Sequence, residues 1–177
     1  RPVATMRKYL DDMDSAWEAL GGAKGEKQVA LAALGPNMSK LSADRTLGSF
    51  PYNITPAQVA LSRTAMGDKG AIICEQKVFL NSDPVTARAA ARAALTPYMG
   101  LPNYFKNWFR LGFDEGDLKD GGSDRLMDAM VLWGDAATIK AELQKYFDAG
   151  ADQVVLQPIR ADGEPGPCYD ALEALAP

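Results

Sequence analysis

Gly35-Pro36 closes an apolar run, Val29 to Leu34, and opens a polar stretch with helical spacing. A helix starting there would present unpaired N–H groups and the positive end of its dipole, which is what a phosphate needs. Taken alone, the pair is equally well a tight turn, since single motifs of this kind are weak. Other polar residues fall where predicted strands end. Asn81, Ser82 and Asp83 follow one such strand, and Asp83 fits best as a helix N-cap. Gln157 and Arg160 follow the last. Arg160 could hold a phosphate or an acidic substrate bidentately, although a solvated loop arginine is the simpler reading. Glu75 is placed at the opposite, stabilising end of its strand and reads as structural. Asn103, Tyr104, Trp108 and Phe109 cluster at helical spacing, a pattern that usually means packing and can also line a pocket or a dimer face.

Several chemistries are excluded. Histidine is absent, so there is no Ser-His-Asp triad, no imidazole base and no His-based metal site. Cys74 and Cys168 are the two cysteines, too few and too far apart for a Cys-rich zinc site or a disulfide framework; they read as reduced thiols of a cytoplasmic protein. Asp114, Asp117 and Asp120 recur every three residues, but a calcium loop needs alternate positions and a Glu where Arg125 stands. Gly21 to Lys27 lacks the Gly-Lys-Ser/Thr ending of a phosphate loop, and no G-x-G-x-x-G occurs. Arg88 and Arg92, four apart, read as a solvated helix face. The net charge of −4 argues against nucleic acid as partner. No apolar run reaches the ~18 residues of a membrane span. Arg1-Pro2-Val3 has neither a signal peptide's apolar core nor an initiator Met, so the chain reads as a processed or excised piece.

These residues need elements to position them. The 177 residues, 47% hydrophobic, suffice for one domain. Leu10, Met13, Trp17 and Leu20 predict a helix over Met6 to Leu20, stopped by Gly21-Gly22. Val29 to Leu34 reads as a buried strand, Met38 to Ala43 as a short helix and Gly48 to Tyr52 as a second strand. Thr55-Pro56 opens a helix that ends at Met66. Ala71 to Leu80 is the clearest strand. Ser82-Asp83-Pro84 starts a helix reaching about Leu95, followed by an insertion, Thr96 to Gly134, containing an aromatic helix over Tyr104 to Leu111. A helix from Ala136 to Ala149, a strand from Gln153 to Ile159 and a helix from Pro167 to Leu175 complete the chain. Strand and helix alternate four times, the signature of βαβ units and a parallel sheet. Four strands are half of a (β/α)8 barrel.

Six stretches carry a resemblance. They are Leu31-Ala32-Ala33-Leu34-Gly35-Pro36-Asn37-Met38, Pro51-Tyr52-Asn53-Ile54-Thr55-Pro56, Glu75-Gln76-Lys77-Val78, Leu101-Pro102-Asn103-Tyr104, Gly121-Gly122-Ser123-Asp124-Arg125-Leu126 and Ala149-Gly150-Ala151-Asp152-Gln153-Val154. In this order and spacing the chain resembles the luciferase-like monooxygenase superfamily, specifically its coenzyme F420-dependent oxidoreductases. The resemblance implies a (β/α)8 TIM-barrel type fold. Residues 1–177 would be its C-terminal part, helix 4 and strands 5 to 8, with the helical insertion at about 96–134. It implies hydride transfer between F420 and an organic substrate. It places the cofactor phosphate at Leu34, Gly35, Pro36, Tyr52 and Asn53, with Arg160 and Asn103 as weaker contacts. Asn37 stands where the family often has a basic residue. FMN in a monooxygenase of the same fold is the alternative, and a non-catalytic flavin-binding or assembly module is a third reading. The absent strands would carry much of the ring pocket, so the chain alone is expected to be inactive. Its strands near Val29 and Val155 would be open edges, inviting a dimer or pairing with the missing N-terminal half. No residue is singled out as proton donor.

Overall fold

The computed structural model describes residues 2–22, 28–164 and 166–176. The Gly/Lys-rich stretch after Gly22 lies mostly outside them. Helix α1 spans Pro2–Ala19, longer than its apolar spacing predicts, with Pro2 tolerated in the first turn. It lays Val3, Met6, Leu10 and Met13 against Leu31 and Leu41.

The strands are β1 (Ala30–Leu31), β2 (Gly48–Ser49), β3 (Ala71–Leu80), β4 (Val131–Gly134) and β5 (Gln153–Pro158). Every pairing between them is parallel. There are five strands rather than the expected four, because β4 falls inside the stretch read as an insertion. β1 and β2 are each shorter than predicted. Pro51 has no N–H to extend the β2 ladder, and the chain beyond Leu31 turns toward Gly35.

β3 organises the sheet. Its first residues pair with β2, and Ile73 to Val78 pair with β5. Lys77 and Val78 pair with both β4 and β5, so these two strands flank β3 on opposite sides. The Glu75 N–H donates to the Pro51 carbonyl, which places β2 on the β4 side. Around the sheet the order is thus β1, β2, β3, β5, with β4 beside the upper half of β3. Among the described residues β1 pairs only with β2 and β5 only with β3, so the expected open edges are present.

Helices α2 (Pro36–Arg45) and α3 (Pro56–Met66) follow β1 and β2. Thr55 occupies the N-cap of α3, but its side chain makes no cap bond. Helix α4 spans Pro84–Met99 and passes the predicted stop near Leu95 with Pro97 inside it. The Asp83 side chain accepts the Thr86 N–H, as expected of an N-cap. The insertion holds α5 (Pro102–Arg110), a 3-10 stretch over Glu115–Gly121 and α6 (Asp124–Met130). Asp114 and Asp117 form a capping box at that 3-10 start. Helices α7 (Ala136–Asp148) and α8 (Tyr169–Leu175) complete the chain, α7 starting at the expected cap, Asp135.

Two cores follow from the alternation of β3. Ile72, Cys74 and Val78 pack with Val59 and Met66 of α3 and with Ile139, Leu143 and Tyr146 of α7. Phe79 instead joins Ala87, Ala91 and Leu95 of α4, Trp108 of α5 and three buried residues of α6. Arg88 and Arg92 are not a solvated face. Arg88 pairs with Asp124 and Asp128, and Arg92 with Asp124. These bonds clamp α4 to α6. Gly48 is required where β2 meets β3. Its φ is +156°, and a Cβ there would overlap the Ala71 carbonyl.

Candidate functional site

Helix α2 begins as its sequence predicts. Gly35 is the N-cap in extended conformation and Pro36 is the first helical residue. The Gly35 carbonyl accepts the Met38 and Ser39 N–H groups at 3.0 and 2.9 Å. Pro36 has no N–H, so the first donor of the helix belongs to Asn37, at the positive end of the dipole.

This helix start borders a cavity of about 490 Å³. One wall is the loop from Ala32 to Met38; another is Phe50 and Tyr52, which follow β2; a third is Asn103, Tyr104 and Arg110 of α5. Pro2 and Val3 of α1 complete it. Asn103 and Arg110 are seven residues apart, two helical turns, so one face of α5 brings both to the cavity. The Arg110 guanidinium donates to the Leu34 carbonyl at 3.3 Å and to Asn107 Oδ1 at 2.6 Å. Its Nη1 would lie 3.4 Å from a Cβ on Gly35, an ordinary contact with the end of a flexible side chain. Both of its bonded acceptors are neutral, and no carboxylate pairs with it among the described residues. The site therefore carries one uncompensated positive charge beside the helix start.

Behind the aromatic wall lies a buried polar cluster. Glu75 and Lys77 alternate along β3, so both point to one face, and their side chains pair at 3.1 Å. Lys77 Nζ also donates to Asn53 Oδ1 at 2.7 Å and sits 4.0 Å from the centre of the Tyr52 ring. Burial pushes the Glu75 carboxyl above its usual range and the Lys77 ammonium below its own, each opposed by the other's charge. The Tyr52 hydroxyl lies 3.0 Å from that of Tyr98 and donates to Gln157 Oε1 at 2.9 Å. Burial raises the Tyr52 pKa. Tyr104 packs edge-on against Tyr52 and Tyr98.

Of the residues assigned from sequence, Leu34, Gly35, Pro36, Tyr52 and Asn103 line the cavity. Asn53 does not. It is 2% exposed with φ at +54°; its Oδ1 accepts from Lys77, its carbonyl accepts from the Trp108 indole N–H, and its buried Nδ2 has no partner among the described residues. Arg160 is also elsewhere. Its guanidinium pairs with Asp162, Nε at 2.9 Å, in the loop after β5. Glu75 is not at the far end of its strand but halfway along it. Residues that the sequence reading passed over are Arg110, Lys77 and Tyr98. The seven-residue spacing from Asn103 and the alternation from Glu75 were signals for the first two. Nothing local pointed to Tyr98, which meets Tyr52 only through the fold. Trp108 is fully buried, as the packing reading expects, whereas Tyr104 belongs to the cavity wall.

No family model and no curated protein matches the chain. Solved structures do. An F420-dependent secondary alcohol dehydrogenase, solved with an F420–acetone adduct, superimposes with a TM-score of 0.54 at 15% identity, over 77% of this chain and 44% of that one. The coenzyme F420-dependent tetrahydromethanopterin reductase from Methanopyrus kandleri gives 0.52 at 16% identity, over 72% and 43%. Apo-MsnO8 gives 0.54 at 15% identity, over 87% and 51%. The chain spans about half the length of these structures. The likeness establishes a shared TIM-barrel type α/β fold, in keeping with the fold expected from the six sequence stretches.

Proposed function

We propose that this chain is the phosphate-binding half of an F420-dependent oxidoreductase of the luciferase-like superfamily. The longer protein would move a hydride between the deazaflavin and an organic substrate. The observation that carries the reading is the cavity at Gly35-Pro36, where a helix start and the uncompensated Arg110 meet beside an aromatic wall. That donor set suits a phosphate: a backbone N–H at a helix start and a planar guanidinium.

When bound, the coenzyme supplies the hydride chemistry. The chain's residues do the holding. Asn37 N–H and Arg110 would hold the phosphate. Tyr52 and Tyr104 cover the cavity's inner side and exclude water. Lys77 holds the Tyr52 ring from behind, and Tyr98 and Gln157 hold its hydroxyl. Strands 5 to 8 of the barrel correspond in this reading to β1, β2, β3 and β5. The ring pocket and the substrate contacts belong largely to strands outside this chain, so the chain alone binds without turnover.

The test is a fluorescence titration of the chain with F420, with FMN and with the deazaflavin lacking its phosphate. F420 should bind, inorganic phosphate should compete, and the phosphate-free compound should bind about tenfold more weakly or worse. Equal affinity with and without the phosphate would overturn the assignment. Tighter binding of FMN, with oxygen consumption by the longer protein, would favour the monooxygenase alternative.

A further inference from the structure

Arg110 is held by two acceptors of unequal grip. Its Nη2 donates to Asn107 Oδ1, three residues earlier on α5, at 2.6 Å and to the Leu34 carbonyl at 3.3 Å. The Leu34 carbonyl has a second donor, Gln58 Nε2 of α3, at 3.1 Å. Gln58 is buried, and its amide also donates to Ser62 Oγ, so it stays in place whatever Arg110 does. If the guanidinium leaves Leu34, that carbonyl remains paired.

Asn107 holds Arg110 at a cost to the fold. It is fully buried, and its Nδ2 has no partner among the described residues. Turning the amide over gives no relief, because it sets Nδ2 against the guanidinium, donor against donor. An aspartate would leave no N–H unpaired and would grip Arg110 harder, but it would cancel the charge that the cavity presents. An aliphatic residue would remove the unpaired group and leave the guanidinium unsteered. Asparagine steers the guanidinium and keeps it positive. A buried donor left unpaired at such a place has its reason outside stability. Asn103, Asn107 and Arg110 share one face of α5, yet only Asn103 and Arg110 line the cavity. Asn107 therefore acts on the cavity through Arg110.

We propose that Asn107 is the pivot that positions Arg110 for a phosphate. Gln58 is the stand-in that keeps the Leu34 carbonyl paired when the guanidinium swings from it to the ligand. Asn107 is thus a positioning residue and not a ligand contact. The proposal rests on the phosphate reading of the cavity. Its probe is inorganic phosphate, so the coenzyme assignment can fail without it.

The nitrogen-labelled chain is titrated with inorganic phosphate and followed by NMR at the Asn37 N–H and at the Arg110 Nη–H groups. In the free chain the Arg110 signals should be separately resolved, because Asn107 slows rotation of the guanidinium, and phosphate should shift them. Asn107→Leu has the same branching without polar atoms. It should merge those signals and weaken phosphate about fivefold, the loss of one hydrogen bond. In an Arg110→Gln background the same change should move the affinity by less than about twofold, since nothing is left to position. Gln58→Met should weaken phosphate while leaving the Arg110 signals resolved. Urea unfolding of each variant confirms that it is folded, and the midpoint of Asn107→Leu should not fall, because a buried unpaired N–H has gone. Unchanged affinity in either single variant, equal losses with and without Arg110, or Arg110 signals that ignore phosphate would overturn the proposal. Failure of F420 to bind a chain whose Arg110 answers phosphate in this way would overturn the coenzyme assignment alone.

Discussion

Two cations near the cavity do opposite work, and their partners explain why. Among the described residues Arg110 reaches only neutral acceptors, Leu34 and Asn107, so its charge is available to a ligand. Arg110→Gln should weaken F420 binding about tenfold or more, the loss of one charge-assisted contact, with little change in the unfolding midpoint. Parallel titration and urea unfolding check both halves of that statement. Lys77, 2% exposed, is spent on Glu75 and Asn53. Lys77→Met would strand the Glu75 carboxylate in the interior, at a cost of ~3–5 kcal/mol, and the double change Glu75→Gln with Lys77→Met should cost less. The single variant should also change its response to pH. Burial already raises the Glu75 carboxyl, and without Lys77 it rises further. A group whose folded pKa lies above its unfolded value favours the fold when protonated. Lys77→Met should therefore gain stability as pH falls from neutrality toward about 4, measured by urea unfolding across that range. This pair was half legible in the sequence: alternation puts both side chains on one face of β3, but not on which face, nor beside what. Placing Glu75 at the strand's stabilising end was wrong because it lies midway along Ala71–Leu80.

Elements were legible where a local signal fixes them. Asp83 and Asp135 cap α4 and α7 because a short carboxylate two or three residues ahead of free N–H groups needs nothing else from the fold. The open edges were also legible, since counting strands against a closed barrel requires no contacts. β4 was not. Val131–Gly134 is four residues long, and it is a strand only because Lys77 to Leu80 lies beside it. The insertion was read as packing without a partner in the sheet, and one of its bonds to the sheet side has large consequences. The Trp108 indole N–H donates at 3.0 Å to the carbonyl of Asn53, the residue that turns the chain between β2 and α3. That bond fixes α5, and with it Asn103 and Arg110, over the cavity. Trp108→Phe keeps most of the packing but leaves a buried carbonyl unpaired, costing ~1–3 kcal/mol in thermal or urea unfolding. It should also weaken F420 binding although Trp108 does not line the cavity, because α5 loses its anchor. Loss of stability with unchanged affinity would show that α5 is held by other contacts.

At the scale of the molecule, the cavity joins parts that are remote in sequence: the start of α1, the β1–α2 turn, the segment after β2 and one face of α5. A ligand bridging them should stabilise the whole fold rather than one element, and this separates specific binding from adsorption to an exposed apolar edge. By mass action, a ligand at about 100 times its dissociation constant adds ~2.7 kcal/mol to the native state. For a chain of this size each kcal/mol moves the melting temperature by ~2–4 °C, so saturation with F420 should raise it by roughly 5–10 °C. The phosphate-free deazaflavin at the same concentration should give about half of that shift or less, since the helix start and Arg110 would have nothing to hold. Arg110→Gln should make the two compounds alike, whereas Val85→Lys, at an exposed position of α4 outside the cavity lining, should preserve the difference between them. A full shift with the phosphate-free compound would mean that the aromatic wall, not the helix start, is what binds. Phosphate recognition would then have to be sought on strands that this chain does not contain.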